Sequence, residues 1–598
     1  MHDFELPPNP AAFAKATWSV VEPYYRALAE RPLDETTVEA WLKDWSRLEE
    51  LVTEAAATAM IAYTVHTDDR EREADHLRFS TEILPQMDEQ SVALARRLIA
   101  LNYHRSDLLT MQERFRTQIG IFREENVAVF AELEELGARY QKITGGMMVE
   151  WEGRSVPLPL LAPHLRSPDR EIRERAFRIS SAPYVARGQD LSDLFTRMYH
   201  LRQKAAHRSG FKDFRDYSFR SKYRFDYTPQ DVERFHDSVE AVVTPAVERL
   251  RLRRTERLQV PTLRPWDTQV DPYGHAALVP FRDIDELKGA ARRVLNRVDP
   301  VLGGQFGAMI DEGLLDLDSR KGKAPGGYCE TLHWRGRPYI FMNAAGTLDD
   351  VMTLFHEAGH AFHAFAAHPL ELIWQRHPGM EAAELASMSM ELLASRYLGA
   401  DTGGFFTPEE VARAKVEHLE DVLVSLVHIA SVDAYQTWIY TSGAGHDPRA
   451  RDQAWLEIRS RFDRGIDWSG LEQERIARWQ RQLHIFLYPF YYIEYGIAQL
   501  GALQIWRNSM RDEASALEAY RTALAVGATQ PLPAIYAAAG ARLIFDASGL
   551  AELVKLVEDE IEEAEGRIPL GSGARPKTDS YLDTDGALAP GNKDKEGC

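Results

Sequence analysis

Apolar residues recur at three- and four-residue intervals along most of the chain, which predicts amphipathic helices, among them 38–62, 113–142 and 229–256. The last of these opens on Pro229, where a first-turn proline is tolerated. Two stretches break the helical rhythm. Residues 147–160 (MMVEWEGRSVPLPL) alternate and carry a Glu-Gly turn, which predicts a short hairpin. Residues 337–343 (RPYIFMN) read as one strand, and because they follow TLHWRG an antiparallel pair is expected. Proline and glycine gather at 260–275 and 322–327 and mark loops. No segment repeats another. From Gly566 on, the chain is rich in Gly, Pro, Asp and Lys with few large apolar groups, so 566–598 is expected to be a disordered tail. The pattern predicts a mainly α chain with a small sheet near the middle. An N-terminal helical region over 1–185 contains the hairpin, and a second region covers 186–565.

Composition narrows the classes. The 598 residues are 44% hydrophobic, enough for a large core. Lys and Arg number 71 against 91 Asp and Glu, a formal charge of −20. Binding phosphates needs the opposite balance, so no nucleic-acid partner is expected. Two cysteines, Cys329 and Cys598, are too few for a disulfide framework. The opening MHDFELPPNPAAF lacks a basic segment followed by an apolar run, so it does not read as a signal peptide. The apolar stretch 524–545 is interrupted by Gln530, Pro531, Pro533 and Arg542. A soluble cytoplasmic protein with no membrane span is expected.

The chemistry concentrates at 347–366, TLDDVMTLFHEAGHAFHAFA. Thr347 followed by Asp350 is a capping-box start, and Asp349 and Asp350 suit a helix N-terminus. His356 and His360 lie four apart, so both imidazoles leave one helix face and can grip one ion. Glu357 lies about 100° round the helix, beside the ion without ligating it, where a general base is needed. A catalytic zinc site takes a third protein ligand. The segment 379–399, GMEAAELASMSMELLASRYLG, offers Glu381, Glu384 and Glu391. Glu384 and Glu391 share an otherwise apolar face, an odd place for two carboxylates unless a cation lies opposite. Glu384 is read as the ligand and Glu391 as an acceptor behind a ligand. At the helix start, Glu381 is explained by the dipole and solvent. His363 competes as ligand, but the outer two of His356, His360 and His363 lie about 10 Å apart along the axis, and His363 is read as a polar lining residue behind the ligands.

With those residues on the page, the sequence resembles the thimet oligopeptidase and oligoendopeptidase F family of zinc metallopeptidases, the oligoendopeptidase F branch most closely. HEAGHAFH at 356–363 matches the family's HExGHxxH, and AELASMSME at 383–391 matches the segment that carries its third ligand, on Glu384. Residues 326–351, 489–506 and 167–177 also resemble family elements. The resemblance implies a nearly all-helical, two-lobed ellipsoid with a deep substrate channel and a small sheet beside the zinc helix. It implies one Zn²⁺ per chain, a catalytic zinc peptidase domain over 186–565, and short unstructured peptides as substrates.

His484, Tyr488, Tyr491, Tyr492 and Tyr495 fall on one helical or near-helical stretch. Tyr488, Tyr492 and Tyr495 follow i, i+4, i+7, so their hydroxyls are expected to converge. In the family a His and tyrosines of this element contact substrate and tetrahedral intermediate, a role carried over to His484, Tyr488, Tyr492 and Tyr495. Tyr491 is assigned to aromatic core packing. The expected mechanism has Glu357 activating a zinc-bound water. The strand from Tyr339 through Asn343 to Gly346 is expected to pair with substrate backbone, with Tyr328, Asn343 and Gly346 as substrate-binding residues. Cys329 is read as a buried, inert thiol. The alternatives are a zinc carboxypeptidase on a related helical-channel fold and a catalytically silent peptide-binding protein.

Overall fold

The computed structural model describes residues 5–569, so most of the expected tail, 570–598 with Cys598, lies outside the described residues. The fold is mostly helical and two-lobed, with two small sheets. Strands β1 (Met148–Trp151) and β2 (Arg154–Pro157) form the expected hairpin, turned at Glu152 and Gly153, both at positive φ. The second sheet comprises β3 (Leu315–Asp318), β4 (Tyr328–Leu332) and β5 (Arg337–Ala344) in the order β3-β5-β4. β4 pairs antiparallel with β5, as the sequence predicts, and β3 adds a parallel neighbour that it did not predict. β5 is therefore the central strand, with neighbours on both sides. The expectation that 339–346 offers its edge to a peptide is corrected: among the described residues the sheet's outer edges belong to β3 and β4.

The helix expected over 38–62 spans Val38–Val65. The one expected over 113–142 is two, Leu109–Ile121 and Glu124–Gly145. Arg123 makes the break: its Nη1 donates to the carbonyls of Gly120 (2.9 Å) and Phe122 (2.6 Å), satisfying chain-end oxygens that a continuous helix would have used internally. The helix expected over 229–256 forms as Pro229–Ser238 and Thr244–Arg257 joined by a π-turn.

Apolar burial divides into two main cores. One gathers Phe13 to Phe115, and the larger holds most of the chain beyond it. Four helices of the larger core build the site: α1 (Leu348–Ala367), α2 (Met380–Ser395), α3 (Pro408–Thr441) and α4 (Tyr492–Arg511). Helix α3 is long and apolar enough to cross a membrane, but 72% of its apolar window is buried within the fold. The turn after α1 ties the cores together. Trp374 packs against Trp45 at 4.4 Å and Leu372 is fully buried in the first core, while the Ile373 amide donates to Ser46 Oγ.

Candidate active site

Helix α1 begins as its sequence requires. Asp350 N–H donates to Thr347 Oγ1, and Thr347 N–H donates back to Asp350 Oδ2 at 2.8 Å. Gly346, at φ +93°, makes the turn out of β5 into this cap. Helix α2 lies against α1 at a glycine: a Cβ on Gly359 would stand 2.5 Å from Ser387 Cα and 2.6 Å from the Ala386 carbonyl oxygen. That close approach sets Glu384, one turn before Ser387, against the two histidines.

His356 Nε2 lies 3.2 Å and His360 Nε2 3.7 Å from Glu384 Oε2. Two donors held at about 2.0–2.1 Å from a tetrahedral ion stand roughly 3.3 Å apart, so these residues fit a zinc ion. They are also the one His/Cys/Asp/Glu group among the described residues whose donor atoms lie close enough together to hold a metal. His356 Nδ1 contacts Glu391 Oε1 at 2.7 Å, so Glu391 orients the imidazole from behind and leaves Nε2 for the ion. Burial pushes the Glu384 carboxyl up, but His356, His360 and the Tyr491 hydroxyl outweigh it and hold the group at about 2, ionised as a ligand must be. Glu357 is buried without a hydrogen-bond partner among the described residues, and burial raises it to about 7, where it exchanges protons readily at neutral pH.

These groups floor a cleft of about 420 Å³ between α1, α2 and β4. Its walls include Tyr328, Cys329 and Glu330 of β4, His363, and Tyr491 and Tyr495. The Cys329 thiol is pushed well up by burial and by the Glu357 and Glu330 charges, which keeps it a thiol. Burial lowers His363 to about 3, so it is neutral. Tyr328 stacks on Phe341, and its hydroxyl lies 2.6 Å from Thr64 Oγ1. The Asn343 amide is committed elsewhere, donating to the carbonyls of Ala324 and Gly326.

The tyrosine element is not one helix. It breaks between 488 and 491, with Phe490 at φ +62°, and α4 restarts at Tyr492. The break rotates Tyr488 out of phase with Tyr492 and Tyr495, leaving it 56% exposed and outside the cleft. Tyr491 takes the inner position and donates to Glu384 Oε1 at 2.8 Å. The assignment of Tyr491 to core packing is therefore corrected. His484 is ringed by Tyr488, Tyr491, Tyr492 and Tyr495 at centroid distances of 6.0, 5.7, 4.9 and 6.2 Å, and burial lowers it to about 4. Tyr492 lies behind, bonded to Gln482. Glu381 is also corrected: it is buried, and the Tyr227 hydroxyl rather than solvent satisfies it, at 2.6 Å.

Residues 164–281 and 297–554 match the sequence pattern of peptidase family M3. The chain belongs to peptidase family M3. Among M3 relatives, an "Oligoendopeptidase F homolog" of Borreliella burgdorferi is 22% identical over 262 residues, 41% of this chain and 42% of the relative. "Oligopeptidase PepF" of Bacillus subtilis is 22% identical over 272 residues, 44% and 39% of the two. The chain thus aligns with about two fifths of the length of these curated relatives. Over the whole fold this M3 chain is similar to a solved PZ peptidase A with an inhibitor, at a TM-score of 0.86 and 26% identity, covering 92% of this chain and 98% of the other.

Proposed function

We propose that this M3 chain is a cytoplasmic zinc endopeptidase that hydrolyses internal bonds of short, unstructured peptides. The observation that carries the reading is the grouping of His356, His360 and Glu384 with the buried carboxyl of Glu357, which has no hydrogen-bond partner among the described residues, on the floor of a cleft whose wall includes β4. His356, His360 and Glu384 would hold the ion. When bound, zinc supplies a water of lowered pKa and a Lewis acid for the scissile carbonyl. Glu357 takes the water proton and returns it to the leaving amine. Tyr495, reaching the cleft with its phenol kept neutral by burial, donates to the developing oxyanion. His484 and Tyr492 act from behind, through ring contacts that fix Tyr495 and Tyr491. Tyr491 holds Glu384 in its ligating orientation. Peptide backbone adds to the outer edge of β4, which gives affinity with little demand on side chains.

Metal analysis, together with cleavage of an end-blocked, quenched peptide with and without chelator, tests the reading. One zinc per chain and chelator-sensitive internal cleavage are expected. Glu357→Gln should keep the zinc and lose activity, and Glu384→Ala should lose the zinc. Cleavage restricted to a free C-terminal residue would select the carboxypeptidase alternative. A zinc-loaded protein that cleaves no member of a broad peptide library would select the silent one.

A further inference from the structure

The break in the tyrosine element leaves backbone groups without helical partners, and two buried arginines from far upstream take several of them. Arg202 donates to the carbonyl oxygens of Ile485, at 3.1 Å, and of Phe486. Arg224 Nη2 donates to the carbonyl oxygen of Phe490, the left-handed residue itself. The Phe490 amide donates at 3.2 Å to Oε1 of Gln436, a fully buried side chain of α3. Side chains of other elements thus hold both backbone groups of Phe490. The same Arg224 Nη2 donates to Glu494 Oε1 at 2.8 Å, in the first turn of α4. One nitrogen therefore ties the carbonyl just before Tyr491 to a side chain three residues after it, and Tyr491 lies inside that bracket. Lys222 closes a third side, with Nζ 5.3 Å from the Tyr491 ring centroid and 3.8 Å from Glu494 Oε1.

Arg224 is itself fixed. Its side chain is wholly buried, with the guanidinium over the Phe219 ring at 4.7 Å. It follows the helix Phe214–Ser221 on a turn made by Tyr223 at φ +59°, and the Tyr223 hydroxyl accepts from Gln118 at 2.9 Å. Few residues other than glycine adopt such a φ. Among the described residues five do, and two of them, Tyr223 and Phe490, meet through Arg224. Backbone strain persists only where the surroundings enforce it, and it gathers at functional sites. The same short segment braces α2. Tyr227 donates to Glu381 Oε1, three residues before Glu384, and Arg224 Nε lies 4.0 Å from that carboxylate. Two cations, Lys222 and Arg224, thus face two carboxylates, Glu381 and Glu494, between the helices that carry the ligand and its tyrosine. A helix continued from His484 would turn Tyr488 inward. The left-handed step puts Tyr491 there instead, 2.8 Å from Glu384 Oε1. We propose that Arg224 is a positioning residue for the metal site: it holds the Phe490 turn against the first turn of α4 and so presents Tyr491 to Glu384, with Lys222 fixing the ring.

The proposal rests on the metal-site reading, and zinc release from the full chain tests it without reference to peptide cleavage. Zinc-loaded wild type, Tyr491→Phe, Arg224→Met and the double variant are mixed with excess chromophoric chelator in a stopped flow, while thermal unfolding follows the fold. Arg224→Met should release zinc about tenfold faster than wild type, as Tyr491→Phe should. Because both changes act through one hydrogen bond, the double variant should be no faster than the faster single one. Independent effects would instead multiply to about a hundredfold. Arg224→Lys, cationic but one bond shorter, should fall between wild type and Arg224→Met. A role in the fold alone lowers the thermal midpoint and leaves zinc release either unchanged in Arg224→Met or multiplied in the double variant; either result overturns the proposal. Should Arg224→Met fail to fold because Glu494 is left as a bare buried charge, the cycle is run with Arg224→Lys. A severalfold quickening that disappears in the Tyr491→Phe background upholds the proposal, and any other pattern overturns it. A wild-type chain that takes up no zinc removes the metal-site reading and the proposal with it, whereas zinc held as long by Arg224→Met as by wild type removes the proposal alone.

Discussion

Gly359→Ala tests whether the approach of α1 to α2 sets the metal site. The added Cβ would stand 2.5 Å from Ser387 Cα and 2.9 Å from the Ala386 carbonyl carbon, both backbone atoms that cannot rotate away. Carbon atoms settle at about 3.5–4.0 Å, so the helices must part by roughly 1 Å. Overpacking of this kind costs ~1–3 kcal/mol, and the better helix propensity of alanine returns ~1 kcal/mol, so the variant should fold with a loss of at most about 2 kcal/mol. The metal site tolerates far less. Ligand distances hold to within about 0.2 Å, and Glu384 rides on α2 one turn from the contact. Zinc affinity should fall by on the order of a hundredfold, and kcat/KM with it. Competition with a chromophoric chelator measures the affinity while thermal unfolding monitors the fold. A variant with wild-type zinc affinity and activity would refute the account of how Glu384 is positioned.

Three further outcomes are expected. Glu391→Gln removes the charge behind His356 Nδ1 and should weaken zinc binding about 10–100-fold with the fold intact, which the same chelator competition reads. Tyr491→Phe deprives Glu384 Oε1 of its donor. A hydrogen bond to a charged group is worth ~1.5–3 kcal/mol, so zinc release should quicken about tenfold or more, and an unchanged rate in stopped-flow chelation would contradict the role given to Tyr491. Glu49 in the first core is raised by burial from 4.5 to about 6 despite accepting from Tyr25, Trp45 and Ser91. A raised carboxyl contributes stability that is complete below its unfolded value and lost as pH rises through 6. Glu49→Gln should therefore raise the thermal midpoint at pH 7.5, by an amount worth up to ~2 kcal/mol, and give no gain near pH 4.5; a gain of the same size at both pH values would contradict it.

The metal helix is legible because its chemistry and its start lie in one short window: a capping box, then two histidines one turn apart. Glu384 is legible because a carboxylate on an apolar face needs a reason to be there. Tyr491 is not, since helical phase carried unbroken from His484 selects Tyr488. Only Pro489 hints at the break, and the left-handed Phe490 that shifts the phase has no signature of its own. β3 escapes because its partner β5 is distant in sequence and parallel, so no turn announces the pair. The break at Arg123 is made by a side chain folding back on its own helix end, which periodicity does not register.

Among the described residues no strand pairs with the outer edge of β4, which has a consequence for solubility. A bare strand edge on an open surface is a template on which another chain's strand can grow, and soluble proteins ordinarily blunt it with charge, proline or a cover. Here the rim itself is the cover: β4 lies along the wall of a cleft, between α1 and the tyrosine element. A lone extended chain can thread in and complete the ladder. A strand already built into a sheet brings its neighbours and needs more room than one chain, so the recess proposed to receive a peptide would also keep the edge of β4 from aggregation.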